Sequence, residues 1–298
     1  MNKLLSAVII VLLVGIGVFW FVQNRDTELT GDETAIEETD TTATTTADVV
    51  DDTKTVIGKS VEGRDIIAYH YGTGEREVIF VGGMHGGYSP NTALVAFDLM
   101  DYLARTPSAI PANVKVTVLP VLNPDGLNLV TGTTSRFAKS DISSSQSTRT
   151  AGRFNANEVD LNRNFDCDWK ESAKWQNKTV SAGSAPFSET ESQAFRNYIE
   201  SHSPSAVVVW YSAAGGVFPS TCDGQPSSES LALTDVFAKA SGYKAFADFD
   251  FYEITGDMPN WLSTRDIPAI SVLLTSHDDA EWTQNKRGID ATLKHVAK

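Results

Sequence analysis

Positive charge never clusters in this sequence of 298 residues: Lys and Arg are scattered, and no stretch interleaves them with aromatic side chains. That pattern excludes a basic nucleic-acid-binding patch. Cysteine is scarce too. Cys167 and Cys222 are the only two, and neither has a histidine beside it in sequence, which argues against a thiol protease. No internal repeat is evident, so repeat architectures are set aside. From Asp26 to Thr53, Lys and Arg vanish altogether while ten Asp and Glu accumulate among many Thr. Such a stretch has too little apolar surface to offset chain entropy, and its charges repel one another, so it is expected to be disordered. Those ten acids make up most of the net charge of −14 and leave about −4 for the rest of the chain. The low pI of about 4.7 therefore describes a spacer and not a binding surface.

What precedes the acidic stretch is its opposite. Residues 4–22, LLSAVIIVLLVGIGVFWFV, form an uncharged run of 19 residues, close to the ~20 that a helix needs to cross a bilayer's hydrocarbon core. The run ends in bulky Phe19, Trp20, Phe21 and Val22 rather than in the small residues of a cleavage site, which favours an uncleaved anchor. Lys3 on the short side, and the acidic flank after Arg25, point to an N-terminus inside and the bulk of the chain outside. The expected partition is a short cytoplasmic tail (1–3), a single-pass transmembrane anchor (4–22), an acidic Thr-rich disordered linker (23–54) and one extracytoplasmic domain (55–298).

Within that domain, short Val- and Ile-rich runs at 77–83, 114–122, 205–213 and 267–275 read as buried strands. Amphipathic stretches at 92–106, 188–202 and 228–242 read as helices, and SETE at 188–191 fits a capping box with Ser188 as N-cap and Glu191 at N3. Strand and helix in alternation imply an α/β fold: a mixed, largely parallel twisted sheet with helices on both faces. In such sheets, functional side chains gather at the carboxyl ends of the strands. The sequence places His85, NPDG (123–126), SAAGG (212–216) and TSHDD (275–279) there, with RFNANEVDLNRNFD (153–166) between the second and third strands.

These pieces, in this order, resemble the zinc metallocarboxypeptidase family, the carboxypeptidase A-like enzymes, over essentially all of residues 55–298. The matching segments are GKSVEGRDI (58–66), VGGMHGG (81–87), NPDG, VDLNRNF (159–165), SAPFSETE (184–191), YSAAGG (211–216), YEITGDMPNW (252–261) and IPAISVLL (267–274). The resemblance implies a zinc ion held by a His and a Glu after the first strand and a second His after a central strand, with a Glu on a later strand as general base. One of those four positions is kept. His85 stands at the first ligand, Tyr88 or Ser89 replaces the paired Glu, Tyr211 replaces the second His, and Leu273 occupies the general-base position. Catalytic zinc ordinarily keeps three protein ligands. A serine hydroxyl is a weak neutral ligand, a tyrosine must first lose a proton with a pKa near 10, and leucine accepts no proton. General-base help, worth about 10² to 10⁴ in rate, is lost with it.

The substrate-holding positions fare better. By the same resemblance, Asn162 and Arg163 grip a substrate's C-terminal carboxylate, Arg153 polarises the scissile carbonyl, Tyr252 covers the substrate, and Asp160 orients the first zinc histidine. An Arg can hold a carboxylate through two parallel charge-assisted hydrogen bonds, and an Asp160–His85 pair would persist without metal. Each position also has a structural reading: His85 as a turn-shaping residue bonded to Asp160, Asn162 and Arg163 as structural residues, one holding a loop and the other in an ion pair, Tyr211 as filler of the vacated metal cavity, Leu273 as packing. His277, Asp278 and Asp279 are either a relocated metal site or an exposed loop. Cys167 and Cys222 follow two of the site motifs, whose loops should emerge at one sheet edge. A disulfide is therefore open to them in an oxidising compartment, two isolated thiols being the alternative. The expected function is a pseudoenzyme that binds the C-terminal carboxylate of peptides or peptidoglycan stem peptides, with zinc absent or weakly bound. The competing reading is an active zinc metallocarboxypeptidase with unfamiliar ligands.

Overall fold

β-Branched residues concentrate in four runs, and these become the centre of the sheet. In the computed structural model, which describes residues 53–298, the runs are β3 (Arg76–Val81), β4 (Val114–Leu119), β7 (Ala206–Ser212) and β10 (Ala269–Leu274). They lie parallel in the order β4-β3-β7-β10. Antiparallel strands flank them: β2 (Asp65–Tyr71) on β4 with β1 (Lys54–Lys59) beyond it, and β8 (Gly216–Pro219) on β10, with the two-residue β9 (Lys244–Ala245) running parallel to β8 at the edge. A separate hairpin pairs β5 (Ser172–Trp175) with β6 (Lys178–Ser181). The span at 4–22 and nearly all of the acidic stretch lie outside the described residues. Among the described ones, no helix is long and apolar enough to cross a membrane.

The alternation of side chains along each strand divides the core in two. On one face, Ile79, Val81, Val207, Val209, Tyr211 and Leu273 pack with residues of α4 (Thr190–His202) and α6 (Met258–Ser263). On the other, Val78, Phe80, Val208, Trp210 and Val272 pack with α1 (Pro90–Arg105), α5 (Ser228–Ser241) and α7 (Trp282–Val296). Two further short helices, α2 (Pro124–Thr131) and α3 (Gln146–Ala151), sit beyond the carboxyl end of β4. Because both faces are covered, the central strands read as nearly continuous apolar runs, which is why they are visible in the sequence.

One helix start differs from the sequence-based expectation. α4 begins at Thr190 with Glu189 as its N-cap, and the Ser188–Glu191 capping box does not form. Ser188 instead donates to Glu189 Oε1 at 2.7 Å. Glu191 accepts from the Val61 amide and from Asn155 Nδ2, both at 3.2 Å. The helix end is served from outside: Asn164 Oδ1 accepts the Glu189 N–H at 3.1 Å and the Ser192 hydroxyl at 2.5 Å. Distant partners in a buried setting have displaced the local motif.

Cys167 and Cys222 are joined by a disulfide, their Cα atoms 5.6 Å apart and 55 residues apart in sequence. The bond ties the loop carrying Asn162 and Arg163 to the segment after β8. Closing a loop of that length removes unfolded-state entropy worth about 4 kcal/mol. Reduction, or Cys222→Ser, is expected to lower the denaturant midpoint accordingly; an unchanged midpoint speaks against the cross-link.

Candidate functional site

The carboxyl ends of β3, β7 and β10 meet the 153–166 and 249–260 loops around a cavity of about 290 Å³. His85 reaches it from the Gly-rich turn after β3, where it caps a single 3-10 turn, Gly86–Tyr88. Gly86 has φ of 41°, and a Cβ there would lie 2.7 Å from the Gly152 carbonyl oxygen; only glycine lets the turn approach so closely. Next to His85, Asp160 opens another 3-10 turn, Leu161–Arg163, by accepting the Asn162 N–H at 3.2 Å. Gly256 backs this turn with φ of 64°, and a Cβ on it would stand 2.0 Å from the Arg163 carbonyl oxygen.

The polar groups form one connected set. Arg153 donates to Asp160 Oδ2 through Nε at 2.9 Å, and its Nη2 makes an ion-pair contact with the same oxygen at 2.7 Å, while its guanidinium lies 4.4 Å from the Trp175 ring centre. Asn162 accepts through Oδ1 from the Tyr211 hydroxyl at 2.9 Å and the Met258 amide at 3.2 Å, and donates through Nδ2 to Asp257 at 2.9 Å. Asp257 also caps α6. Arg163, 1% exposed, donates from Nε to the Lys174 carbonyl at 2.9 Å and from Nη1 to its own neighbour's carbonyl, that of Asn162, at 2.5 Å. Among the described residues, no carboxylate oxygen comes within 4.0 Å of that guanidinium.

His85 is 6% exposed, and neither of its ring nitrogens has a hydrogen-bond partner in the protein. The Asp160–His85 pair expected from the sequence is present as a long contact rather than a tight hydrogen bond. Nε2 and Asp160 Oδ1 are 3.5 Å apart, because the carboxylate is drawn to Arg153 and the Asn162 amide. Burial, with the Arg153 charge beside it, pushes His85 down to about 4, so it is neutral near pH 7. Burial works to raise Asp160, but Arg153 and the donors around it hold that carboxyl far below the usual carboxylate range. Burial and the nearby Asp257 charge push the Tyr211 phenol well above its usual value.

Zinc does not fit this donor set. Tyr211, its ring 5.5 Å from that of His85, is a neutral phenol whose hydroxyl is already given to Asn162. Ser89 is fully buried, and its hydroxyl faces His277 Nδ1 at 3.3 Å. Tyr88 turns its ring to Trp175 and His277, at 4.9 and 4.8 Å. Leu273 pairs with Tyr211 in the sheet and packs into the core. Two guanidinium groups line the same cavity. Among the described residues, the one group of three metal-capable side chains is Cys167, Asp168 and Cys222, whose sulfurs are bonded to each other.

His277, Asp278 and Asp279 do not converge on a common point. Asp278 and Asp279 are exposed, as expected of a solvated loop, while His277 is half-buried and walls the cavity; Asp278 lies 3.9 Å from Arg149, and Asp279 accepts the Glu281 amide at 2.7 Å. Tyr252 also lines the cavity, its ring 5.1 Å from Phe249. The structure thus gathers His85, Arg153, Asn162, Arg163, Tyr211, Tyr252 and Leu273 at one cavity. Sequence reasoning missed Asp257, Trp175 and the aromatic wall of Phe249 and Phe251. Asp257 had a local signal, an Asp two residues before Pro259 at a helix start.

The fold and this cluster define an α/β domain of the carboxypeptidase kind. Residues 37–272 match the zinc carboxypeptidase (M14 peptidase) family, and the chain belongs to it. Human carboxypeptidase D is 31% identical over 122 residues, a match covering 37% of this chain and 8% of that much longer protein. Among solved structures, the murein-tripeptide amidase MpaA from Escherichia coli O157 aligns with a TM-score of 0.58 at 20% identity, covering 82% of this chain and 92% of that one. Carboxypeptidase A from Helicoverpa armigera aligns with a TM-score of 0.64, also at 20% identity, covering 82% and 68%.

Two measurements test the site as described. As pH falls from about 6.5 to about 4, the unfolded chain takes up a proton that buried His85 refuses, so stability is lost over that window, by up to about 3 kcal/mol. In urea titrations at pH 7 and 4.5, His85→Gln is expected to show a correspondingly smaller drop than wild type; an equal drop contradicts a neutral, buried His85. Metal analysis of the full-length protein is expected to find zinc far below one ion per chain, with melting unaffected by chelators. Stoichiometric zinc overturns that expectation.

Proposed function

We propose that the domain is a non-catalytic member of its family that captures the C-terminal carboxylate of a peptide. Arg163 carries this reading. A guanidinium that is almost wholly buried and lines a cavity, with Asp257 on the same wall but no carboxylate in direct ion-pair contact, keeps donor capacity for a carboxylate brought by an occupant. Arg153 is already committed to Asp160, and Asn162 uses both ends of its amide on Tyr211, Met258 and Asp257, so Asn162 serves as the frame that fixes Arg163. Bond cleavage has no support in the cavity. Leu273 offers no base, and the groups around His85 offer no ligand set for a metal-bound water.

On this reading, the apolar run at 4–22 anchors the chain in a membrane with the N-terminus inside, and the domain works outside it. Its ligands are then peptides met there, with cell-wall stem peptides as the class favoured by the likeness to a murein-tripeptide amidase. Isothermal titration of the full-length protein in detergent, with short peptides bearing a free or an amidated C-terminus, tests the proposal. Free-carboxylate peptides should bind, and either Arg163→Ala or amidation should weaken them by about 10- to 100-fold, the scale of one charge-assisted contact. Absence of binding to wild type sinks the idea. Peptide cleavage dependent on added zinc favours instead an active enzyme with unusual ligands.

A further inference from the structure

His85 has lost the setting of a metal ligand but not its exposure to the cavity. It is more than nine-tenths buried, it lines the same cavity as Arg163, and both Nδ1 and Nε2 lack a partner. Buried polar atoms in folded proteins are almost always satisfied, and each one left open costs about 1–3 kcal/mol. The neighbours close little of the gap: Asp160 Oδ1 stands 3.5 Å from Nε2, too far for a strong hydrogen bond, nothing faces Nδ1, and the Tyr211 hydroxyl is held by Asn162. A metal is a poor occupant, because no second donor of suitable chemistry faces the imidazole and Arg153 and Arg163 both bear on it with positive charge. What fits a neutral imidazole is a neutral group that can take or give a hydrogen bond.

We infer that His85 binds the ligand directly, its ring N–H donating to the carbonyl oxygen of the last peptide bond of the chain whose carboxylate rests on Arg163. This rests on the carboxylate-binding reading and extends it from an anion to a peptide end. One residue spans about 3.5 Å along an extended chain, so a carboxylate on Arg163 leaves its preceding carbonyl close by, within a cavity that both residues line. The site then recognises two features in series, the terminal charge and the amide behind it. A simple carboxylic acid, which has only the first, should bind more weakly than an acylated amino acid.

Paired ligands on the full-length protein test this. One is an N-acyl dipeptide with a free carboxylate; the other is its alkene isostere, in which a carbon–carbon double bond replaces the last amide without altering charge or shape. Wild type should prefer the amide by about tenfold. His85→Leu should bind both ligands equally, at the weaker level, and His85→Gln, which can still donate, should recover part of the preference. Equal binding of both ligands to wild type overturns the inference without touching Arg163, since the carboxylate can still be read from the Arg163→Ala and amidated-peptide comparison. So does an undiminished preference in His85→Leu, which would leave His85 with water alone, or stoichiometric zinc binding abolished by the same change. If no peptide binds wild type, both readings fall together.

Discussion

The buried pair of Asp160 and Arg153 sets the geometry on which the pocket depends. Asp160 is fully buried and Arg153 nearly so, and a charge-assisted hydrogen bond from Nε and an ion-pair contact from Nη2 join them. Removing one partner of such a pair typically costs about 3–5 kcal/mol, because the other is left charged in a medium that cannot solvate it. Here the cost would spread. Asp160 also opens the turn that presents Asn162 and Arg163, while Arg153 lies against Trp175 of the β5–β6 hairpin. One ion pair therefore fixes the loop after α3, the turn at 161–163 and the hairpin beside them.

From that anchor, the frame of the site is built around the positions the family motifs supply. The frame is made of hydrogen bonds among Asp160, Asn162, Asp257 and backbone amides, none of which needs a metal. The replaced positions have joined it. Tyr211 spends its hydroxyl on Asn162, and Leu273 adds to the apolar core on the same face of the sheet. These groups at the replaced positions are tied into the hydrogen bonds and packing of the fold itself.

Much of this was legible in the sequence, for identifiable reasons. The four central strands are buried on both faces, so their Val and Ile runs mark them to within a few residues. β1 is mostly exposed and at the edge of the sheet, and β5 and β6 have four residues each, too little apolar pattern to stand out. The site residues came together because their motifs sit at strand ends, where the topology brings them. What escaped was geometry set by distant contacts. His277 reaches the cavity because Asn91 Nδ2 holds the carbonyls of Ser276 and Asp279, folding that loop back; nothing near residue 277 encodes it. The capping box at 188–191 failed for the same reason, since Asn155 and Asn164 outbid a local pattern.

The register of β7 against β10 places Tyr211 directly beside Leu273, and this adjacency couples two of the positions at which the expected zinc-site residues are replaced. Tyr211 gives its hydroxyl to Asn162, while Leu273 packs on the same face of the sheet. An imidazole at 211 would take from Asn162 the hydroxyl that helps hold the Arg163 turn. A change at either position is therefore felt by its strand neighbour, and the two are expected to vary together rather than one at a time.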